Sequence, residues 1–186
     1  MLVRTRWPRY FLRMISTDRL QLRRPIAADF EATAEMFAEQ GVVAHIGGKP
    51  LDRPAAWTKF LRDVGHWSIE TFGLFSVIER RSGEYVGKVG YARFERDLSD
   101  QAGTTIEMSW TLRSQFHGKG YALEAARAAQ AWFDGHTPRR TACIISPANL
   151  PSRKLAERLG YEVVGQIGPS GHPVLLMTRD PVTRET

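Results

Sequence analysis

The pattern of apolar and polar positions changes its period along the chain, and each change marks a new element. Alternation over residues 19–23 predicts a strand that ends at Pro25. Apolar residues then recur at helical spacing over residues 29–39 and 55–64, with a Gly- and Pro-rich loop between the two segments. The first third of the chain is therefore predicted to form one strand and two helices.

Beyond the second helix the period shortens to two, which predicts a run of strands. Residues 74–79 and 85–94 form a predicted antiparallel pair joined by a turn, and residues 103–112 form the next strand. A long Ala-rich helix follows, which Gly135 and Pro138 are expected to end. The remaining predicted elements are a strand at 141–145, a helix at 149–159 and strands at 161–167 and 174–178.

The order of these elements, β-α-α-β-β-β-α-β-α-β-β, predicts the fold class. Strands joined by a tight turn pair antiparallel, whereas strands separated by a helix can pair parallel. No repeat, low-complexity tract or inter-domain linker interrupts the order. We therefore predict one α/β domain of the mixed α+β kind, with a central, mostly antiparallel sheet and helices on both faces.

The composition is that of an ordinary globular protein. Hydrophobic residues make up 42% of the chain and charged residues 25%, and no apolar run is long enough to cross a membrane. Cys143 is the single cysteine, so an internal disulfide is excluded. A reducing compartment is expected, and with it a cytoplasmic location and no membrane partner.

The net charge of +6 is unevenly distributed. Residues 1–13 hold four arginines and no acidic residue, and without them 22 basic residues face 20 acidic ones, a balance of +2. We predict that residues 1–13 are a disordered extension and that residues 14–186 form the single domain. A basic arm that binds nucleic acid is the less favoured alternative.

The six residues Gln-Phe-His-Gly-Lys-Gly at 115–120 join a predicted strand to the long helix. Glycine is a poor helix former, so two glycines here indicate that the backbone serves another purpose. The unpaired N–H groups of a first helical turn can bind phosphate, and Lys119 adds a cation. A Walker loop requires Ser or Thr where Gly120 stands, and a dinucleotide fingerprint requires glycine where Leu123 stands. From the loop alone, an anion site and a plain tight turn remain equally open.

Four motifs together indicate a family. The loop resembles the acetyl-CoA motif Q/R-x-x-G-x-G/A of the GNAT acetyltransferases, as Gln115-x-x-Gly118-x-Gly120. The preceding strand, Glu-Met-Ser-Trp-Thr-Leu at 107–112, is similar to the E-x-x-W-x-L of the branch that contains the ribosomal-protein N-terminal acetyltransferases (RimJ/RimL-like). Residues 149–161 resemble that branch's N-x-x-S…A-E-K-L-G-F, and residues 19–23 its R-L-x-L-R start. The resemblance extends from Ile15 to about Arg179.

The resemblance implies an acetyl-CoA-dependent N-acetyltransferase whose sheet splays between its fourth and fifth strands, here 103–112 and 141–145. Acetyl-CoA would lie in the split. Main-chain groups near Trp110, Thr111 and Leu112 would hold the pantetheine arm like an extra strand. The pyrophosphate would be wrapped by the segment that runs from the predicted strand into the helix: Gln115, His117, Gly118, Lys119, Gly120, Tyr121 and Ala122. Asn149 would cap its helix, contact the pantetheine arm, or do both.

Direct attack by an amine needs a base, and the thiolate needs to leave. Glu107 alternates onto the same strand face as Ser109 and Thr111, so it is the candidate base or water-orienting residue. Many members of the family supply a tyrosine acid where Ala156 stands, and the resemblance to the N-terminal-acetyltransferase branch offers Ser152 instead. A solvated strand residue and a helix-capping serine remain the alternatives for these two assignments.

Other reactive residues are interpreted as structural. Cys143 lies among apolar residues in a predicted core strand and is expected to be inert. The five histidines show no metal-ligand spacing, so no metal is expected, while His66 and Trp67 could either pack or line the acceptor pocket. The acceptor amine would enter between residues 41–67 and 168–173. A protein amino terminus, an amino acid, a polyamine and an aminoglycoside all remain open, as do a monomer, a homodimer and a non-catalytic acyl-CoA sensor.

Overall fold

The computed structural model describes residues 14–98, 100–169 and 173–182, so the predicted extension at 1–13 lies outside the described residues. Within them the chain forms eight strands and five α-helices. The strands are β1 (Ile15–Ser16), β2 (Leu20–Arg23), β3 (Leu74–Glu79), β4 (Tyr85–Ala92), β5 (Glu107–Leu112), β6 (Thr141–Ile145), β7 (Glu162–Ile167) and β8 (Val174–Arg179). The helices are α1 (Phe30–Ala38), α2 (Gln40–Val43), α3 (Arg53–Ile69), α4 (Tyr121–His136) and α5 (Leu150–Arg158).

All eight strands belong to one sheet with the order β1-β2-β3-β4-β5-β6-β8-β7. Every neighbouring pair is antiparallel except β5 and β6, which are parallel. The predicted fold class, a mixed and mostly antiparallel sheet, is therefore confirmed. Strands β5 and β6 are parallel because α4 lies between them in the chain and carries the chain back to the end of the sheet at which β5 begins.

Helices cover both faces of the sheet, as predicted. On one face, α4 and α5 pack through buried side chains such as Phe133 and Leu155 in the main core. Alanines line the buried side of α4, so the helix approaches the sheet closely, and the Phe133 ring stacks on Tyr91 with ring centroids 4.0 Å apart. On the other face, Phe37 of α1 and Val43 of α2 bury against Tyr85. Apolar burial on both faces supplies the main driving force for this arrangement.

The sheet opens between β5 and β6, which confirms the expected splay. The two strands pair only where Glu107 faces Ala142, and there the Ala142 N–H donates to the carbonyl of Ile106 at 2.9 Å. Past this point each strand keeps only its outer partner, β4 for β5 and β8 for β6. The facing edges therefore present main-chain groups that the sheet itself does not use.

Several boundaries differ from the prediction. Asp52 caps α3 by accepting the Ala55 N–H at 2.9 Å, so the helix begins two residues early, and it continues to Ile69, with buried Trp67 extending the spacing of Phe60 and Asp63 by one further turn. Gly135 does not end α4, which continues to His136, so that part of the prediction was wrong. The short elements β1 and α2 were not predicted, because two and four residues are too few to show a period. No helix among the described residues has the length and apolar character of a membrane span.

Candidate active site

A cavity of about 340 Å³ occupies the wedge between β5 and β6. One wall is the divergent part of β5 and another is β6 with the first turn of α5. The floor comes from α3, β4 and the segment after β4. Side chains that matter for its chemistry are Lys59, Arg62, Lys88, Phe94, Arg96, Glu107, Trp110, Cys143, Asn149 and Ser152.

The register of β4 and β5 decides which main-chain groups of β5 face the cavity. The Arg113 N–H donates to the Val86 carbonyl at 2.9 Å, so this pair is a hydrogen-bonded one. Bonded pairs alternate along an antiparallel ladder, and the next is Thr111 with Lys88. The backbone of Thr111 is therefore used within the sheet, whereas the N–H and C=O groups of Trp110 and the N–H of Leu112 point toward β6 without a partner there in the part of the chain that the structure describes. The Leu112 carbonyl is contacted by His117. The unpartnered groups form an open strand edge inside the cavity.

Both glycines of the loop that follows β5 have backbone angles that other residues rarely adopt. Gly118 and Gly120 have φ angles of 71° and 81°, in the left-handed region that favours glycine. A Cβ atom added at Gly118 would meet nothing within 4 Å, so steric room is not the reason for glycine there. In the described part of the chain, the N–H groups of Gly118, Lys119 and Gly120 have no backbone acceptor. With the first turn of α4, they form a row of exposed donors suited to an anion.

Arg19 holds this loop in place, and the sequence did not predict that role. Its guanidinium donates to the Lys119 carbonyl at 2.9 Å and to a Glu124 carboxylate oxygen at 2.7 Å. It also lies over the Tyr121 ring at 4.3 Å, and the Tyr121 hydroxyl donates to Glu79. Arg19 appeared in the sequence only as part of the opening motif, because its partners lie about a hundred positions away.

The other residues predicted to wrap the pyrophosphate differ in whether their side chains already contact the protein. The Gln115 amide donates to Glu84 at 3.3 Å, and Ala122 is half-buried against the core. The Nε2 atom of His117 lies 2.9 Å from the Leu112 carbonyl, which directs that nitrogen at the protein. Lys119 is exposed, with its ammonium 5.9 Å from the centre of the Phe116 ring, and is free to meet an anion.

Glu107 lies at the point where β5 and β6 meet. Its side chain is 3% exposed and accepts a hydrogen bond of 2.9 Å from Arg96 Nε. Burial raises the pKa of the carboxyl group, and the positive charge and hydrogen bond of Arg96 oppose the rise. Met108 packs into the core beneath α4, so Glu107 points to the opposite, α3 side of the sheet. A carboxylate with a raised pKa at the floor of a cavity has the properties of a general base.

Ser152 and Asn149 are brought together at the start of α5. The Asn149 Oδ1 atom accepts the Ser152 N–H at 3.2 Å and caps the helix. The Ser152 hydroxyl accepts a hydrogen bond of 3.2 Å from Trp110 Nε1, which leaves its own proton available to a second acceptor. Ala156 is fully buried, and no tyrosine lies among the described residues that line the cavity.

Two further assignments concern Cys143 and His66. Cys143 is 2% exposed in the cavity wall, and burial raises the pKa of its thiol, so it remains a protonated and poor nucleophile. His66 bonds the Phe72 carbonyl at 2.9 Å and the Arg93 N–H at 3.0 Å, and Trp67 donates to the Leu74 carbonyl. His66 and Trp67 therefore pack at the strand ends and are not among the cavity-lining residues. No group of three or more potential metal ligands occurs within the described ranges.

The sequence did not identify the cationic residues of the cavity. Lys59 and Arg62 come from α3, Lys88 from β4 and Arg96 from the segment beyond β4. Only the spacing of Lys59 and Arg62, three residues apart on one helix, places two of them on a common face. The fold is needed to bring all four to one place.

Comparison with known proteins agrees with this geometry. The model of the "Acetyltransferase (GNAT) domain" family matches residues 19–162. YkkB of Bacillus subtilis, described as uncharacterized, is 28% identical over 168 residues, which cover 88% of this chain and 93% of the relative. A Bordetella pertussis protein assigned to the GNAT acetyltransferases superposes with a TM-score of 0.79 at 29% identity, covering 90% of this chain and 99% of the other. RimL, a ribosomal L7/L12 α-N-protein acetyltransferase solved with coenzyme A, shares the fold at 13% identity with a TM-score of 0.72, covering 90% and 98%. The chain therefore belongs to the GNAT acetyltransferase family and is an N-acetyltransferase.

Proposed function

We propose that this protein transfers the acetyl group of acetyl-CoA to a primary amine by direct attack within a ternary complex. The observation that carries the proposal is the opening between β5 and β6, where one cavity combines the open strand edge of β5 with the buried carboxylate of Glu107, together with the donor-rich loop that leads from β5 into α4. Each of these features matches one portion of the reaction, namely the pantetheine arm, the amine and the pyrophosphate.

The cofactor would lie along the open edge of β5. Main-chain groups of Trp110 and Leu112 pair with the pantetheine amides as another strand would, and Thr111 contributes through its neighbours because its own backbone bonds to β4. The pyrophosphate lies on the N–H groups of residues 118–122, with Lys119 as a counter-charge. RimL, which has the same fold, was solved in complex with coenzyme A, and this supports binding of the cofactor by the fold.

The reaction then needs two protons removed from the acceptor nitrogen, one before and one after the attack, and one proton supplied to the sulfur. Glu107 accepts a proton from the acceptor ammonium, directly or through water, and the free amine attacks the thioester carbonyl carbon. Main-chain N–H groups at the divergent end of β5 stabilise the oxyanion. As the tetrahedral intermediate collapses, the C–S bond breaks, Ser152 donates a proton to the departing sulfur, and the second proton of the attacking nitrogen passes through water to restore the Ser152 hydroxyl. The hydrogen bond that Ser152 accepts from Trp110 makes its hydroxyl a better donor.

Direct attack is favoured over an acyl-enzyme because Cys143, the cysteine of the cavity wall, is held as a thiol by burial. The branch resemblance points to RimJ/RimL-like enzymes. A chain with one cysteine fits a reducing compartment, so we propose a cytoplasmic location. A non-catalytic acyl-CoA sensor is the second candidate, and the observation that favours it is Ala156, which stands where a tyrosine acid occurs in many relatives.

The test is release of the CoA thiol from acetyl-CoA in the presence of a panel of amines, with the acetylated product identified by mass spectrometry. Transfer to at least one amine, lost in Glu107→Gln, is expected. Saturable CoA binding with no thiol release from any amine would favour the sensor instead.

A further inference from the structure

The acceptor side of the cavity is strongly cationic. Four cations line it, Lys59, Arg62, Lys88 and Arg96, while Glu107 is the one carboxylate among its described lining residues. Asp63 lies directly behind and pairs with Lys88 and with Arg62. Four positive charges thus meet two negative ones, which leaves a surplus of two. An acceptor that carries only amines would enter against this charge.

Two aromatic rings hold the four cations in place. The Phe37 ring lies 5.2 Å from the Lys59 ammonium and 5.0 Å from that of Lys88. The Phe94 ring lies 4.8 Å from the guanidinium carbon of Arg62 and equally far from that of Arg96. A cation over an aromatic face within about 6 Å is attracted by the ring quadrupole. Phe37 thereby holds two buried or half-buried lysines, whereas Phe94 fixes the position of two arginines whose side chains remain 45% and 44% exposed.

Lys59 and Arg62 are the cations that remain available to a ligand. Lys59 has no carboxylate within 4.0 Å among the described residues, although it is half-buried. Burial, followed by the charges of Lys88 and Arg62, lowers the pKa of Lys59 to about 8, and an anion beside it would offset this unfavourable environment of the charged form. The Arg62 side chain remains 45% exposed, although it contacts Asp63.

We propose that the acceptor is a small primary amine that carries its own carboxylate, and that Lys59 and Arg62 bind this carboxylate while the amine lies at Glu107. The inference rests on the proposed acetyl transfer and names its substrate class. The cavity of about 340 Å³ also has to hold the acetyl end of the cofactor, which favours an amino-acid-sized acceptor. Polyamines and aminoglycosides, which carry only positive charge, are disfavoured because Glu107 is the one carboxylate among the described residues that line the cavity, against four lining cations.

The test compares acceptors that differ only in the carboxylate. Free amino acids, including β-alanine and γ-aminobutyrate, are measured beside their carboxamides, with spermidine and kanamycin as polycations and short peptides with acidic first residues as the larger source of the same chemistry. For the preferred amino acid, the carboxamide should raise KM by about tenfold or more, because a charge-assisted hydrogen bond is lost. Lys59→Met and Arg62→Gln should remove most of this preference. Arg127→Gln, on the exposed side of α4, is the matched control and should retain it.

The outcomes separate this inference from the proposed function. Efficient transfer to spermidine or kanamycin, or equal KM values for acid and amide, would overturn the inference and leave acetyl transfer intact. A preference confined to acidic peptides would overturn the small-acceptor assignment. If no amine is acetylated although CoA binds, the proposed function fails, and calorimetry of the free amino acids against the CoA-loaded protein then decides the inference. Absence of binding, or binding unchanged by Lys59→Met, would reject it.

Discussion

Trp110 Nε1 donates a hydrogen bond to Ser152 Oγ at 3.2 Å, across the wedge that separates β5 from α5. The bond connects β5 with α5. In the proposed reaction, β5 binds the pantetheine arm and α5 supplies the hydroxyl that protonates the leaving sulfur. The bond also fixes the orientation of that hydroxyl, because its lone pair is engaged and its proton is directed elsewhere.

Ser152→Ala should lower kcat by about tenfold, since a thiolate leaves fairly well without an acid and general acids contribute at most a few orders of magnitude. Trp110→Phe, which removes the donor and keeps an aromatic ring, should lower kcat by a smaller factor. In the double variant the two effects should not add, because the hydrogen bond is already lost in either single variant. Full additivity in steady-state kinetics would mean that Trp110 acts independently of Ser152.

Gly118→Ala should separate loop function from loop conformation. Gly118 and Gly83 have φ angles of 71° and 76°, and a Cβ at either position meets nothing within 4 Å. Alanine at either site should therefore cost a similar free energy of unfolding, about 1–2 kcal/mol. Gly83 lies in the turn between β3 and β4, where its N–H donates to the Glu79 carbonyl and is not available to a phosphate, so only Gly118→Ala should weaken CoA binding. Equal CoA affinities by calorimetry would reduce the loop to an ordinary turn.

Glu107→Gln keeps the shape of the side chain and removes the base. It should lower kcat by about a hundredfold or more, with the greatest loss at pH values above the pKa of Glu107 and below that of the acceptor amine, where the amine holds its proton and the wild type has its base. The wild-type rate should itself fall at pH values below the pKa of Glu107, which burial raises. A variant that keeps the full rate across the pH range would show that the amine loses its proton in solution.

Glu107→Gln should lower the rate but should not lower the thermal stability. Because the pKa of Glu107 is raised in the folded protein, folding favours the protonated form, and that stability is lost as the pH rises through the folded pKa. Glutamine is neutral at every pH, so Glu107→Gln should melt at a temperature at least as high as the wild type at pH 7. Thermal melts should show the difference shrinking in acid, and Glu162→Gln, at an exposed position, should show none.

The sequence predicted the elements that depend on residues close to one another along the chain. The strands from β2 to β8 and the helices α1, α3, α4 and α5 were predictable because each has a local period of two or about 3.6 residues. The face of β5 that carries Glu107 followed from alternation alone, and Asn149 was predictable as a cap from its place before a helix.

The parts that escaped prediction depend on distant residues. Arg96 pairs with Glu107 across eleven positions of irregular chain, and Arg19 reaches the loop from the other end of the domain. The charge of the acceptor side arises from α3, β4 and the segment beyond it, which only the sheet brings together. The direction of the Thr111 backbone depends on the register with β4, and no motif encodes that register.

Lys59→Met should increase thermal stability in a pH-dependent way. The pKa of Lys59 is lowered to about 8, first by burial and then by Lys88 and Arg62, so its charged form is less favourable in the folded than in the unfolded protein, and the full loss of stability is present below that pH. The groups that face it are Lys88, Arg62, Asp63 and Arg96, and only Asp63 favours the charged form. A depressed pKa gives stability that is present above the unfolded value, near 10.4, and is lost as the pH falls through about 8.

Methionine removes the charge and keeps an apolar side chain of similar length over the Phe37 ring. Lys59→Met should therefore melt higher than the wild type at pH 7, and the difference should diminish as the pH is raised from about 8 toward 10. Lys154→Met, on the exposed side of α5, is the matched control and should show no such pH dependence. A variant that is less stable than the wild type at pH 7 would mean that the attraction of Lys59 to Phe37 outweighs the repulsion of its cationic neighbours. The charge of Lys59 would then be a source of stability, and a ligand carboxylate would have less unfavourable charge to relieve.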